Sequence, residues 1–494
     1  MNKKYNFGTE KRGHLRKIEI KTHIKLTKYK VMQKRWIIMF AFMLIISICG
    51  LFVPGDVDFG FNIELSEDAQ LLANVAWLIT ATIFVLMMTP GLSFFYGGMV
   101  REKNVISTML QSFIAMGIIS VLWVVFGFSL CFGHDLGGVI GNPLSYLFFN
   151  NVGGACSDTN FVEGLSIPIA LFALFQMKFA IITPSLITGS FAERVRFSGY
   201  LFFMIFFFIF VYCPLAHCTW HPQGLFASIH VKDFAGGIVV HASSGIAALA
   251  GAMFLGKRKE AGDHLPANVP FILLGAAMLW LGWFGFNAGS SLAADGMAIK
   301  AFLNTNTASA VAMITWIVFD CLRGRKPSAV GAAVGAVVGL VAITPSAGWV
   351  SVGESVFISF VTTLICNFAV YFKNKKSNLD DALDVFPTHG VGGIVGTLMT
   401  GIFVYNYEDP AVKAELTHLQ YFGNHCMVMA GVIVYSFVVS YGLYWLTNKM
   451  IPMRVSEESE EMGLDMSQHD EVYGSKVVER ELAEYFEHEH KGDA

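Results

Sequence analysis

The segment from Asp233 to Lys257 constrains the fold of this chain more than any other feature. Between these charged ends, every residue except His241 is apolar or small. About 20 such residues in a row are enough for a helix to cross the hydrocarbon core of a bilayer. His241 follows Asp233 by eight residues, which places it roughly 12 Å along such a helix. An ionisable side chain at that depth indicates a functional position.

The same arrangement occurs a second time near the C-terminal end. His389 follows Asp381 by eight residues, and each histidine is followed at the fourth and fifth positions by glycine and isoleucine, Gly245-Ile246 and Gly393-Ile394. Two matched segments indicate duplicated halves. The alternative interpretation is that each histidine is an ordinary buried polar residue that binds a neighbouring helix.

The composition indicates a membrane protein. Hydrophobic residues make up 54% of the chain and charged residues 14%, whereas soluble domains carry about 25% charged residues. We therefore expect an all-α polytopic membrane protein. The basic residues lie in short loops and the N-terminal tail without a nucleic-acid-binding fold, which excludes nucleic acid as a partner. The eight cysteines show no CxxC pairing, so no disulfide framework, metal site or cofactor is predicted.

Four regions are predicted along the chain. Residues 1–35 form a basic N-terminal extension, and the apolar run over 36–53 is a signal peptide or an uncleaved signal anchor. Residues 70–450 form a transmembrane domain, and 451–494 form a cytoplasmic tail.

Eleven transmembrane helices are predicted in the large domain. Their approximate limits are 71–98, 105–132, 166–191, 198–216, 234–256, 269–289, 300–320, 328–345, 351–372, 388–406 and 421–448. Basic residues concentrate on every second connection, so the positive-inside rule places the start of the first of these spans outside and the C-terminus, from Lys449 onward, in the cytoplasm. We expect a multi-pass protein of the cell's inner (plasma) membrane.

This topology gives the two matched segments opposite orientations. Asp233 precedes the fifth span on the outer face, whereas Asp381 precedes the tenth span on the inner face. Five spans and five spans of opposite orientation form an inverted repeat, with the last helix outside it. Such folds place the substrate path between the halves near the midplane, so we expect His241 and His389 to approach each other there.

Aromatic residues cluster in three other segments. Phe175 and Phe179 are four residues apart and share a helix face, as do Phe286 and Ser290. Trp220 ends the stretch 216–220, which we assign to the loop before the fifth span. For each aromatic residue alone, helix packing or an interfacial belt is the competing interpretation.

Taken together, these segments resemble the ammonium transporter (Amt/Mep/Rh) family, specifically its bacterial Amt branch. The motifs that carry the resemblance are DFAGGIVVH at 233–241, WFGFNAGS at 283–290, FQMKFA at 175–180, AHCTW at 216–220 and DVFPTHG at 384–390. The resemblance covers about residues 70–475. It implies a homotrimer with one pore in each subunit, electrogenic ammonium uptake for nitrogen supply, and a transporter rather than an enzyme.

The resemblance also assigns roles to individual residues. Phe179, Trp220 and Ser290 resemble the outer ammonium recruitment site. Phe179 and Phe286 resemble the stacked gate below it, and His241 and His389 resemble the paired pore histidines that relay protons. The supporting residues of these sites are Asp233, Phe175, Trp283 and Asp381.

The physical chemistry of ammonium fits these residue types. Aromatic faces attract a partly desolvated cation by roughly 0.5–2 kcal/mol, and a serine hydroxyl accepts one of its N–H bonds. Below the aromatic rings the pore is expected to be apolar, where an intact charge is expensive. Neutral ammonia crosses such a pore more cheaply, and imidazole suits a separate proton relay.

Some residues depart from the pattern or stay outside it. Lys178 lies next to Phe179 but about 100° round the helix, so we expect it to face away from the pore. His217 and His221 have the spacing of metal ligands, but no third ligand or helical context is evident, so no metal site is predicted there.

The tail resembles the family's cytoplasmic regulatory tail. Gly463, Leu464, Asp465 and His469 match it, whereas Asp470 stands where glycine is usual. In relatives, a PII-type signalling protein blocks the inner pore mouth, which makes such a protein a possible partner. Residues 475–494 go beyond the resemblance.

Three other functions compete with ammonium transport. A sensor that keeps the fold would need an appended signalling domain, and the tail is too short to hold one. An intramembrane enzyme would need a nucleophile or metal ligands near the histidines, and none is evident. A secondary transporter coupled to another ion is disfavoured by the motifs.

Overall fold

The computed structural model describes residues 69–154, 165–260 and 265–474, together with positions 37, 41–46, 48–49, 51–52 and 156. The chain divides into two compact units, Met1–Asp56 and Val57–Ala494. In the first unit, residues 41–46 and 48–49 are helical and fall within the predicted apolar segment 36–53. The predicted basic extension 1–35 and the end of the tail, 475–494, lie outside the described residues.

The second unit is built almost entirely from helices. In chain order they are α1 (Ala69–Met99), α2 (Glu102–Phe132), α3 (Ile169–Ile187), α4 (Phe197–Trp220), α5 (Gly237–Leu255), α6 (Val269–Ser291), α7 (Gly296–Leu322), α8 (Ala329–Ile343), α9 (Val352–Lys376), α10 (Phe386–Val391 continued by Gly392–Phe403), α11 (Pro410–Glu415), α12 (His418–Met450), α13 (Glu457–Met462) and α14 (Leu464–His469). A short antiparallel hairpin pairs β1 (Asp135–Leu136) with β2 (Ile140–Gly141).

The helix lengths are those of a polytopic membrane protein. Within the described residues, nine helices are long and apolar enough to cross a membrane. They coincide with nine of the eleven predicted spans. The predicted spans 328–345 and 388–406 coincide with α8, a shorter apolar helix, and with α10. The all-helical polytopic class is confirmed, and the count of eleven crossings stays a prediction.

The predicted end of the fourth span is wrong. We placed residues 216–220 in a loop, but α4 continues to Trp220. A π-helical turn, Phe208–Tyr212, shifts the hydrogen-bond register just before Pro214. The proline therefore does not break the helix, although it lacks an N–H and its ring fills the preceding turn. The chain leaves the helix at His221, whose backbone is extended.

The helices α3 and α5 form the centre of the second unit. Their most apolar stretches are 83% buried, against 33% for those of α1 and α12. The outer helices α1, α7 and α12 instead expose large apolar side chains, among them Ile83, Ile314 and Val434. Such exposed apolar surface is expected of helices that face lipid.

Two glycines allow α5 and α10 to cross in contact. A Cβ atom on Gly245 would lie 2.0 Å from the backbone nitrogen of Gly390, and one on Gly393 would lie 2.7 Å from that of Ala242. Both distances are shorter than real Cβ contacts. The glycines that follow the two histidines in sequence therefore bring the two histidine helices together.

The tail helices pack against the starts of α2 and α4. Asp465 accepts the backbone N–H groups of Ile106 at 3.0 Å and Ser107 at 2.7 Å, and Gln468 accepts that of Phe197 at 2.8 Å. Asp470 adopts a left-handed φ of 55°, which aspartate tolerates better than most residues. The turn therefore forms although glycine is replaced.

Candidate functional site

Two histidines meet at the crossing of α5 and α10. Nδ1 of His241 and Nδ1 of His389 are 3.3 Å apart, and the ring centroids are 5.4 Å apart. Both side chains are buried. One Nδ1 must carry a proton for the other to accept it. This geometry therefore holds a single proton between the two rings.

An aspartate orders the backbone at the start of each histidine helix. The Asp233 carboxylate accepts the N–H groups of residues 236–239 at 2.7–3.4 Å. Asp381 accepts those of residues 385 and 386 at 3.2 and 2.8 Å. A helix start leaves such N–H groups without partners in its own turn. The eight-residue spacing of aspartate and histidine thus corresponds to a capped helix start with the histidine about two turns further on.

Both histidines lie in π-helical turns. These turns are Gly237–Ala242 in α5 and Phe386–Val391 in α10, and Phe286 lies in a third, Phe284–Ala288 in α6. Isolated π turns are rare and often occur at functional sites. A π turn widens the helix locally and so changes the direction in which its side chains point.

Trp283 packs on the face of His241. The two ring centroids are 5.2 Å apart and the planes differ by 20°. The Trp283 indole N–H donates to the Thr344 hydroxyl at 2.8 Å, and that hydroxyl donates to the Leu340 carbonyl at 2.7 Å. Thr344 was not among the predicted residues, because nothing in its local sequence indicates a partner 61 residues away.

The aromatic residues form a continuous series of rings. Phe179 and Phe286 are stacked with centroids 4.1 Å apart. Trp220 stands nearly perpendicular to Phe179 at 5.9 Å, and Phe175 contacts Phe179 at 4.9 Å. Phe286 lies 6.0 Å from His241. The rings therefore lead from Trp220 at one end to the histidine pair at the other.

Trp220 and Ser290 are the partly exposed members of the predicted recruitment site. The Trp220 indole N–H donates to the Asp233 backbone carbonyl at 3.0 Å, so Asp233 lies behind the tryptophan. The Ser290 hydroxyl donates to the Phe286 carbonyl at 2.8 Å. The serine oxygen therefore keeps its lone pairs for another donor.

A cavity lies beside Phe286 and the histidine pair. Its lining consists of Met88, Leu92, Phe95, Ile182, Leu186, Val240, His241, Leu279, Trp283, Phe286, Val337 and His389. Apart from the histidines and the indole, these side chains are apolar. Such a lining penalises a charged species and tolerates a small neutral one.

Two of the remaining predictions concern Lys178 and the pair His217 and His221 at the end of α4. The Lys178 ammonium lies 3.5 Å from the sulfur of its neighbour Met177. His217 lies in α4, and its Nε2 is 2.9 Å from a carboxylate oxygen of Asp135. The statement that no third ligand or helical context accompanies His217 and His221 is therefore wrong.

Comparisons with known proteins identify the family. The model of the Ammonium Transporter Family matches residues 76–473. The ammonium transporter of Bacillus subtilis is 40% identical, over 81% of this chain and 98% of the relative. That of Aquifex aeolicus is 42% identical, over 82% of this chain and 94% of the relative.

This chain belongs to the ammonium transporter family. The resemblance found in its motifs is confirmed, and because members of this family are transporters, the chain is not an enzyme. The competing interpretation as an intramembrane enzyme is thereby excluded.

Solved structures of this transporter family share the fold. Saccharomyces cerevisiae Mep2 is 33% identical with a TM-score of 0.72, over 82% of this chain and 92% of that chain. A structure described as a sensor Amt protein is 28% identical with a TM-score of 0.75, over 82% of this chain and all of that chain. This transporter therefore has the helical architecture of both proteins.

Proposed function

We propose that this ammonium transporter takes up ammonium for nitrogen supply along the series of rings from Trp220 to His389. The observation that carries the proposal is the continuity of the series. It begins at a partly exposed indole, passes two stacked phenylalanines and ends at a buried histidine pair beside an apolar cavity.

Ammonium is recruited at the outer end by Trp220, Phe179 and Ser290. Aromatic rings attract the cation, and the serine oxygen accepts one of its N–H bonds. A potassium ion has no N–H to donate, so the hydroxyl adds selectivity. Asp233 acts behind Trp220, where it fixes the indole through its carbonyl and caps α5 through its carboxylate.

The stacked pair Phe179 and Phe286 acts as the gate. At a centroid separation of 4.1 Å the two rings leave no room between their faces. Passage therefore requires at least one ring to rotate, and Phe175, in edge contact with Phe179, limits the directions available.

The histidine pair relays the proton that ammonium gives up. When ammonium transfers a proton to an imidazole nitrogen, neutral ammonia remains and crosses the apolar cavity at lower cost. Nε2 of His241 has no hydrogen-bond partner among the described residues, and His241 lines the cavity. That nitrogen is therefore placed to exchange a proton with the substrate, while the Nδ1 contact passes it to His389.

We propose the following topology for the whole chain. Eleven helices, α1 to α10 and α12, cross the plasma membrane as a 5+5 inverted repeat with α12 outside it, and the C-terminus is cytoplasmic. Residues 1–35 form the basic extension, 36–53 the signal peptide or anchor, 70–450 the channel domain and 451–494 the regulatory tail. Three copies associate as a homotrimer.

The proposed partners are ammonium and a PII-type signalling protein at the cytoplasmic face. A sensor role is the second candidate function, because a protein described as a sensor Amt protein shares the fold. A sensor would bind ammonium without sustained transport.

Current measurement on proteoliposomes tests the transport proposal. An ammonium pulse should produce a current that potassium at the same concentration does not produce. A pure ammonia channel would instead change the internal pH without current. A protein that binds ammonium but gives neither signal would be a sensor, and the proposal would fail.

A further inference from the structure

Three side chains that bind metals converge where the β1–β2 hairpin packs against the end of α4. Asp135, His217 and His221 each offer one ligand atom within 4.8 Å of the others. The two histidines are one helical turn apart at the end of α4, and Asp135 lies 82 residues before His217. None of these residues belongs to the ring series described above.

The hydrogen bonds of His217 determine which of its nitrogens is available. Its Nδ1 is 2.9 Å from the Cys131 carbonyl, which can only accept, so Nδ1 carries a proton. In the neutral ring, Nε2 then points its lone pair at the Asp135 carboxylate oxygen, 2.9 Å away. Two facing lone pairs require a positive centre between them, which is either a second proton or a metal ion.

We propose that Asp135, His217 and His221 form a binding site for a divalent cation of the zinc class. Imidazole nitrogen and carboxylate oxygen bind zinc at about 2.0–2.2 Å. The carbonyl that orients His217 is the kind of outer partner that metal-binding histidines have. Tetrahedral ligands lie about 3.3 Å apart at these bond lengths, so the nitrogen and oxygen need to separate by only a few tenths of an ångström.

The hairpin holds Asp135 rigidly in this position. The backbone N–H of Gly138 donates to the same carboxylate oxygen at 2.6 Å, and the Gly138 carbonyl accepts the N–H of Leu225 at 2.8 Å. The hairpin is thereby attached to the segment after α4. The Asp135 side chain is 21% exposed whereas that of His217 is completely buried, so a cation and a completing water reach the site from the aspartate side.

His221 joins the site by a small rotation. Its ring stacks on His217 with centroids 4.3 Å apart, and its Nδ1 accepts the N–H of Gln223 at 3.1 Å. A metal ion bound by an imidazole nitrogen lies in the plane of that ring. Because the rings of His217 and His221 are stacked, one ion cannot lie in both planes. His221 must therefore tilt and release the Gln223 N–H, which makes it the ligand that responds to metal binding.

Metal binding here affects the neighbouring recruitment site. His221 directly follows Trp220, so an ion held by His217 and His221 restrains the turn that positions the indole. Its two positive charges also oppose an approaching ammonium ion, more strongly at low ionic strength. We expect zinc to reduce ammonium uptake.

Zinc titration of the purified full chain tests the site. The protein carries a tag without histidine, and all forms include H488Q and H490Q, so that these two histidines, which stand two apart in sequence, cannot contribute to the zinc signal. Calorimetry should give one zinc ion per chain, and zinc should raise Tm. Magnesium, which prefers oxygen ligands, should do neither.

Two substitutions and a matched control decide the outcome. Asp135→Asn and His221→Gln should each weaken zinc binding by about tenfold or more, whereas His134→Gln, an exposed neighbour, should leave it unchanged. If Asp135→Asn alone lowers Tm without zinc, the decision rests on His221→Gln, which keeps an acceptor for Gln223. Absence of saturable zinc binding, or zinc affinity in both variants equal to that of the protein without these two substitutions, would show that the three residues are only a structural hydrogen-bonded cluster.

Discussion

His241 is held from three sides. His389 contacts its Nδ1 at 3.3 Å, Trp283 covers one face at 5.2 Å, and Phe286 lies 6.0 Å away. Thr344 fixes the indole in turn. These contacts restrain the imidazole ring and leave Nε2 without a hydrogen-bond partner among the described residues.

Replacing either histidine tests the relay. His241→Ala or His389→Ala removes the shared proton site, so ammonium-dependent current should stop or change its ion selectivity, while ammonia or methylamine should still cross by diffusion. Glutamate at either position also carries a proton and should be tolerated better than alanine. Current in proteoliposomes of each variant is the measurement.

The variant with alanine at both histidine positions can contradict the proposed relay. Unchanged current size and ammonium selectivity with both histidines replaced would mean that the pair only fills the space between α5 and α10. Equal protein levels in the vesicles are the necessary control.

Trp220→Leu tests recruitment. The substitution removes the indole face and its bond to the Asp233 carbonyl. A cation–π contribution of about 0.5–2 kcal/mol corresponds to a loss of roughly 2- to 30-fold in apparent ammonium affinity. Uptake at low ammonium, measured against potassium competition, reports this loss. Unaltered uptake and selectivity at normal protein levels would remove Trp220 from the pathway.

At the scale of elements, α5 and α10 are joined at their crossing and also through the segment that follows α5 and the segment that precedes α10. Gly245 and Gly393 bring the helices into contact. Arg258, in the segment after α5, donates to both carboxylate oxygens of Asp380, in the segment before α10, at 2.9 and 3.0 Å. The two histidine helices are therefore fixed relative to each other at two levels.

Gly245→Ala tests the crossing. The new Cβ would lie 2.0 Å from the Gly390 nitrogen, so the helices must separate, and we expect a lower Tm and loss of current even though both histidines remain. Gly117→Ala in α2 is the matched control, because its Cβ meets nothing within 4 Å and alanine favours the helix by about 0.5–1 kcal/mol. If the two variants behave alike, close contact at Gly245 is unnecessary.

Asp380→Asn tests the ion pair between the segment after α5 and the segment before α10. Burial by itself raises the pKa of Asp380. The hydrogen bonds and charge of Arg258, together with the charge of Arg194, outweigh this effect and lower the pKa to about 2. The ion pair therefore stabilises the fold fully when the pH is above 3.8, the ordinary pKa of aspartate. This stabilisation is lost as the pH falls toward 2. Asp380→Asn should cost about 1–3 kcal/mol at pH 7, and this deficit should shrink below pH 4.

Thermal unfolding against pH measures the Asp380 effect. Glu457→Gln is the control, since its pair with Lys259 at 3.3 Å is largely exposed and such a pair adds little stability. A deficit for Asp380→Asn that stays constant down to pH 2 would contradict the assignment.

At the scale of the whole molecule, the tail connects segments that are distant in sequence. Arg454 donates to Glu460 at 2.8 Å and to the carbonyl of Leu255 at the end of α5, also at 2.8 Å. Asp465 caps the start of α2. The tail therefore contacts both the histidine helix α5 and the start of α2.

Deleting the residues after Arg454 should lower transport without preventing membrane insertion. The reason is that the helices keep their packing in the membrane while the tail contacts to α2 and α4 are lost. Deletion of 475–494 alone leaves those contacts intact and serves as the control. Ammonium uptake and membrane protein levels are measured together, and full activity of the longer deletion would show that the tail is dispensable.

Hydropathy and residue spacing predicted the positions of the transmembrane helices. Every predicted span coincides with a described helix, because runs of apolar residues and their charged ends are local features of the chain. The end of α4 was missed because a π turn accommodates Pro214, and hydropathy does not detect a change of hydrogen-bond register.

The sequence by itself determined the class, the family and the two aspartate–histidine segments, since each depends on residues close together in the chain. The repeat also led us to expect that His241 approaches His389, and the two Nδ1 atoms are 3.3 Å apart. Only the tertiary structure decided which other distant side chains meet, such as Trp283 with Thr344 and Asp135 with His217. The physical reason is that such pairs depend on how helices cross and which faces they present, and glycines, π turns and caps on separate segments set those angles jointly.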